Sequence, residues 1–344
     1  MTLGVPLSDS SPPCAVYSTV SGGDIRKRIE KHFLIERIAD CALLQPGFND
    51  VYEISLEDGG RYIARLGSRH ERGEPNVQYE TAILRHLKHA GAKVAAPRPT
   101  KDGTLFIDVP CQEGLRQLVI FEFLPGKLLE DNIDDIKAMA AELAHIHVLS
   151  KSYHGPESKY VLDLNHLLRR PLARILAVNV IDQETRDLIV SIAANLEARA
   201  AKFSSLTIVA CHGDCHGYNT MMNDASDGSR TASFFDFDDG GPSYLAYDLA
   251  VFLWNRLLSR QLGEPDEKVQ TMWAHFIEGY RSVVAVPAVD FEAIAMFVAM
   301  RHFWLIGEYA SRVERMGTQM FQGPWIRDGF ELAKQWASLE IPIV

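Results

Sequence analysis

Apolar residues recur along this chain with two different periods, and the switch between them divides it. After Asp24, which can cap a helix, Ile25, Ile29 and Phe33 are spaced for one helical face. From Leu34 to Leu66 the pattern becomes short apolar and alternating runs, broken by Gln45-Pro46-Gly47-Phe48-Asn49-Asp50 and by Glu57-Asp58-Gly59-Gly60. Turn residues between alternating runs predict three antiparallel strands joined by tight turns. Ala82, Ile83, Leu84 and Leu87 then fit an amphipathic helix, and Leu118 to Gly126 reads as a buried strand ending in a turn.

Beyond that strand helical spacing dominates, over residues 134–149, 165–175, 184–203, 244–258, 266–284, 291–315 and 326–337. Strands early and helices late predict an α+β fold, with a small antiparallel sheet within residues 24–123 and a larger, mainly helical unit over 124–344. His145 and His147 lie inside one helical stretch and are read as hydrogen-bonded helix residues rather than ligands. Trp254, Trp273, Phe303, Trp304, Trp325 and Trp336 fall at core-like spacing. Residues 1–23 carry Ser8-Asp9-Ser10-Ser11-Pro12-Pro13 and little periodicity, and are read as a flexible N-terminal arm.

The candidate chemistry is concentrated between Val209 and Leu249. His212-Gly213-Asp214 is followed by Asn219, then by Ser233-Phe234-Phe235-Asp236, and then by Tyr247-Asp248-Leu249. Phosphoryl transfer needs a carboxylate to orient the attacking hydroxyl and oxygen ligands to hold Mg²⁺ against the nucleotide phosphates. Asp214 suits the first role; Asn219 and Asp236 suit the second. The interval from Asp214 to Asn219 equals that of the protein-kinase catalytic loop. A zinc cluster of Cys211, His212, Cys215 and His216 is the weaker reading, because a second Cys pair at knuckle spacing is missing from the sequence.

With these motifs in order, the chain resembles the superfamily of aminoglycoside phosphotransferases and choline kinases, which also holds homoserine kinases, hydroxylysine kinases and stress response kinase A. The resemblance covers roughly Phe33 to the C-terminus. It implies a protein-kinase-like two-lobe fold, an N-lobe over 24–123 and a C-lobe over 124–344, working with ATP and Mg²⁺. It puts Gly47 and Asn49 in the turn over the phosphates, Arg65 on the α- and β-phosphates with Glu80 as its partner, and Glu122 at the hinge beside the nucleotide. It makes Asp214 catalytic, Asn219 and Asp236 metal ligands, and Asp248 the residue that steadies the catalytic loop. His216, Asp238 and Asp239 are candidates for the acceptor.

Departures from the protein-kinase pattern narrow the acceptor. Gly213 replaces the arginine of H-R-D, Asp236-Phe237-Asp238 replaces D-F-G, and too few residues separate Asp236 from Asp248 for an activation segment. A platform for peptides is therefore missing, and the expected acceptor is a hydroxyl of a small, amine-bearing molecule. Because stress response kinase A acts on proteins, a protein Ser/Thr kinase is the alternative. A non-catalytic pseudokinase is opposed by the intact Asp214, Asn219 and Asp236.

Composition adds bounds. A chain of 344 residues suits two lobes, and its net charge of −10 argues against a nucleic-acid partner while fitting a cationic substrate. Five cysteines without disulfide-like spacing predict a reducing compartment. With no signal-peptide pattern and no long apolar run, the expected location is cytoplasmic, away from the membrane.

Overall fold

The computed structural model describes residues 15–47, 49–68 and 76–341. Helix α1, Gly22–His32, begins the N-lobe and is capped by Ser21, whose Oγ accepts from Asp24 N; Asp24 lies in the first turn rather than at the cap expected from the sequence. The next strands are β1 Ile38–Gln45, β2 Asp50–Leu56 and β3 Arg61–Leu66, followed by helix α2, Val77–His89. Strands β4 Ile107–Cys111 and β5 Gly114–Glu122 complete an antiparallel sheet of order β1-β2-β3-β5-β4. Alternation along the strands sends Tyr52, Ile54, Ala64, Leu66, Leu118 and Ile120 into one cluster with Ile25 and Ile29 of α1 and Phe33 just after it. Each fully buried Ile, Leu or Phe side chain among them contributes about 1.5–3 kcal/mol. The opposite period places Val119 and Phe121 with α2 in the main core.

The arm read as flexible is corrected where it is described. Tyr17 donates to Asp50, Ser18 Oγ donates to Glu113 at 2.6 Å, and the fully buried Arg116 donates to the Ser18 carbonyl at 2.6 Å. Residues 15–20 thus lie against the sheet because Arg116 needs acceptors for a buried guanidinium. Residues 1–14 of that arm lie outside the described residues, as does Phe48.

The C-lobe starts with the short strand β6, Lys127–Leu128, and helix α3, Ile133–Leu149, capped by Asn132. A π-turn at Asn165–Arg169 leads into α4, Arg170–Ala177, and α5, Gln183–Ala200, follows with Asp182 as its cap. Next come β7 Ile208–Cys211, β8 Thr220–Asp224, β9 Arg230–Phe234 and β10 Gly241–Tyr244. Helices α6 Leu245–Ser259, α7 Glu267–Arg281, α8 Ala288–Ala310, α9 Val313–Met316 and α10 Gly323–Trp336 complete the lobe.

Pairing of β7 with β10 and of β8 with β9 brings the segments 212–219 and 235–240 side by side at the lobe junction. Trp254, Trp273, Phe303, Trp304 and Trp336 are buried as their spacing predicted, but Trp325 is 47% exposed, so its place in the apolar period did not decide its burial. Among the described residues no helix is long and apolar enough to cross a membrane.

Candidate active site

The loop 212–219 is held from beneath by a carboxylate. Asp248, in the first turn of α6, accepts the backbone N–H of His212 at 2.7 Å and of Gly213 at 2.8 Å. His147 of α3 donates to it at 2.9 Å and meets the Tyr280 hydroxyl at 2.8 Å through its other nitrogen. Burial alone would raise the Asp248 carboxyl; the His147 bond and the backbone donors hold it below its ordinary value. Gly213 has φ +84°, and a Cβ there would stand 2.2 Å from the Asp239 carbonyl oxygen, so no larger residue fits.

His212 joins the two loops. Its Nδ1 accepts from Asp214 N at 3.2 Å, so the proton sits on Nε2, which donates to the Phe235 carbonyl at 3.0 Å. Burial pushes this imidazole below its ordinary value and keeps it neutral.

Asp214 stands above this base. Its Oδ2 accepts from Asn219 Nδ2 at 3.1 Å and faces His216 Nε2 at 3.2 Å. His216 Nδ1 accepts from Tyr218 N, which leaves its Nε2 as the donor. Asp214 Oδ1 accepts from Arg301 Nη2, an arginine of α8. Burial opposes ionisation, yet the Arg301 and His216 contacts hold the Asp214 carboxyl well below the usual carboxylate range.

A second group faces the first. Arg65 of β3 pairs with Glu80 of α2 at 2.5 Å, both nearly buried, and its Nη1 reaches Asp236 Oδ1 at 3.2 Å. Asp236 follows β9 with φ +64°, an uncommon backbone for a non-glycine residue. Desolvation and the neighbouring Asp238 charge push its carboxyl up to about 8. Such crowding of carboxylates is relieved by a divalent cation, and the Asn219 amide oxygen and the Asp236 carboxylate are the hard oxygen donors that Mg²⁺ takes. Across the cleft, Asn49 donates to Asp238 at 2.6 Å and accepts from Ser68 N at 3.1 Å, while Gly47 O accepts from Arg315 of α9 at 3.2 Å.

Residues 43–285, well over half the chain, match the phosphotransferase enzyme family. The chain belongs to that family. A Deinococcus radiodurans protein is 32% identical over 298 residues, spanning 86% of this phosphotransferase and 84% of that protein. Amicoumacin kinase of Bacillus subtilis is 26% identical over 307 residues, spanning 83% of this chain and 87% of that one. Among solved structures, a microcompartment-associated aminopropanol kinase superposes with TM-score 0.71 at 20% identity, over 92% of this chain and 96% of that one. An amicoumacin kinase determined with AMP-PNP and Ca²⁺ gives the same TM-score and coverage at 21% identity. At such identities the structural likeness speaks for the fold, a two-lobe kinase-like α+β architecture.

The phosphotransferase fold brings Asp214, Asn219, Asp236, Arg65, Glu80, Asn49 and Asp238 to one cleft, and treats the other predicted residues differently. Glu122 extends its side chain to Lys88 of α2, at 2.8 Å, and its backbone N–H goes to Ala96, so the hinge offers little through this side chain. His216 is a partner of Asp214 in this structure rather than a free acceptor contact. Asp239, only 7% exposed, lies under the loop beside Arg301 instead of at the cleft mouth.

Arg301 is the site residue that sequence reading missed. Its only local signal is that it is the one permanent charge between Ala293 and Ile306, a stretch otherwise spaced like core. Helix α8 delivers it to Asp214, and its guanidinium stacks 4.1 Å over the Trp304 ring and 5.1 Å from that of Trp254.

Proposed function

We propose that this phosphotransferase moves the γ-phosphoryl group of ATP to the hydroxyl of a small, amine-bearing acceptor. The observation that carries this reading is the 3.2 Å bond from Arg65 to Asp236, which sets a phosphate-binding cation beside the segment that holds Asp214. Arg65, oriented by Glu80, holds the α- and β-phosphates, and the turn with Gly47 and Asn49 covers them. Asn219 and Asp236 hold Mg²⁺, which would supply neutralisation of the charge on the phosphate oxygens.

Asp214 orients the acceptor hydroxyl and takes its proton. The acceptor oxygen bonds to the γ-phosphorus as the bond to the bridging oxygen breaks, and ADP leaves with that electron pair. Such a transfer asks mainly for positioning, which the loops 212–219 and 235–240 provide through the His212 to Phe235 bond. An amine on the acceptor is supported by the surplus of carboxylates at the cleft and by aminopropanol, the amino alcohol named for one structural neighbour. The free thiols of Cys41, Cys111, Cys211 and Cys215 fit a reducing cytoplasm.

The test is ADP formation from Mg-ATP with a panel of amino alcohols, homoserine, choline and aminoglycosides, using Asp214→Asn as control. Stimulation by one panel member, with a matching phosphorylated product and loss in the variant, is the expected result. Tight Mg-ATP binding without turnover on any member, or turnover only on added protein substrates, overturns it.

A further inference from the structure

The two oxygens of the Asp214 carboxylate are unequally used. A carboxylate offers about four acceptor sites. Asn219 and His216 occupy Oδ2, and Arg301 occupies one site of Oδ1. What remains is the second site of Oδ1, on a side chain that is 19% exposed while Arg301 behind it is 3% exposed.

Arg301 is committed to this loop. Nη1 donates to the Gly213 carbonyl and to the Tyr247 hydroxyl, both at 3.3 Å, and Nη2 donates to Asp214. The Asp239 carboxylate of the neighbouring loop adds to its field. Trp304 and Trp254 limit how the guanidinium can turn. A buried arginine costs several kcal/mol to desolvate unless it is well paired, and here every bond it makes goes to the catalytic loop or to the tyrosine that braces it.

We propose, on the phosphoryl-transfer reading above, that Arg301 is a positioning residue: it holds Asp214 so that the remaining site of Oδ1 faces the cleft and receives the acceptor hydroxyl. A planar guanidinium reaches the Gly213 carbonyl and the Asp214 carboxylate together, which sets the carboxylate plane relative to the loop. A lysine at this place supplies the charge without that plane. A helix buried in the core of the C-lobe thereby aims the group that meets the acceptor.

The experiment compares Arg301→Met, Arg301→Lys and Arg301→Ala with wild type. Turnover of Mg-ATP is measured with water alone and with the panel above, together with Mg-ATP affinity and melting temperature. The expected result is a kcat lower by about a hundredfold in Arg301→Met, with KM for Mg-ATP nearly unchanged and partial recovery in Arg301→Lys. Guanidinium ion, well below denaturing concentrations, restores turnover in Arg301→Ala, whereas urea does not. A merely structural arginine would give losses that follow melting temperature, with no such rescue, and that result overturns the proposal.

A crystal structure of Arg301→Met reads the geometry without activity. Asp214 is expected to turn from its present orientation; an unchanged carboxylate sinks the proposal even if the protein proves to be a kinase. A wild type that turns over no acceptor and no water while Asp214 still turns in the variant is instead a failure of the phosphoryl-transfer reading.

Discussion

Asp248 accepts the backbone N–H of Gly213 at 2.8 Å, from a helix that begins more than two dozen residues after that glycine. The same carboxylate takes the His212 N–H and the His147 side chain, so one residue holds the loop 212–219 to α6 and α3.

Replacing it therefore strands several buried groups at once. Asp248→Ala is expected to cost about 3 kcal/mol and to lower the melting temperature by roughly 4 °C, with turnover lost. Calorimetry beside an activity assay checks this. A variant that melts like wild type shows that the loop holds itself.

The Arg65 to Glu80 pair is almost fully buried, so its members depend on one another. Arg65→Met should destabilise by about 3 kcal/mol, and adding Glu80→Leu should recover much of it, because the second change removes the buried carboxylate that Arg65 had neutralised. Mg-ATP affinity stays weak in both, by about tenfold or more, corresponding to roughly 1.4 kcal/mol of lost phosphate contact. Denaturant melts and titration calorimetry measure the two effects; strict additivity of the destabilisation would contradict the pairing.

Asp236 and Asn219 are the oxygen donors proposed for the metal. Asp236→Asn is expected to raise the Mg²⁺ concentration for half-maximal turnover at least tenfold, and Asn219→Ala less, since only the first removes a charged ligand. A Mg²⁺ titration at saturating ATP decides. Curves that overlay the wild type would place the metal elsewhere.

His302 of α8 is buried between the rings of Phe330 and Trp336, and neither of its nitrogens has a hydrogen-bond partner among the described residues. Burial pushes its pKa down to about 3. In the unfolded chain it titrates near about 6.5. The unfolded state therefore binds the extra proton as the pH falls from about 6.5 towards 3, and stability is lost in that window. Between pH 7 and pH 5 this histidine should account for about 2 kcal/mol of the loss, at about 1.36 kcal/mol per unit. His302→Met should flatten the pH dependence of urea unfolding by that amount; an unchanged slope would show that His302 gains a proton without unfolding.

How much of this was legible in the sequence depended on distance along the chain. Strand alternation and helical period are local, and they located the three N-lobe strands and the long helices to within a few residues. Caps were legible where a side chain meets its own backbone, but at α1 two neighbouring candidates competed and Ser21 prevailed over Asp24. Asp214, Asn219 and Asp236 could be proposed from the sequence because their spacing along adjacent segments reflects the chemistry they would serve.

What only the tertiary structure decided are the contacts made across long separations. Arg301 meets Asp214 across 87 residues, and Ser18 meets Glu113 across 95. The period of α8 marks Arg301 only as a polar interruption, and the Ser-rich arm offers no sign that Arg116 needs the Ser18 carbonyl. Lys88 claims Glu122, and the turn after Phe237 buries Asp239, for the same reason. A local pattern reports which face of an element turns inward, because burial has the period of the backbone. Which charge meets which inside depends on how the elements pack, and short stretches of sequence do not encode that.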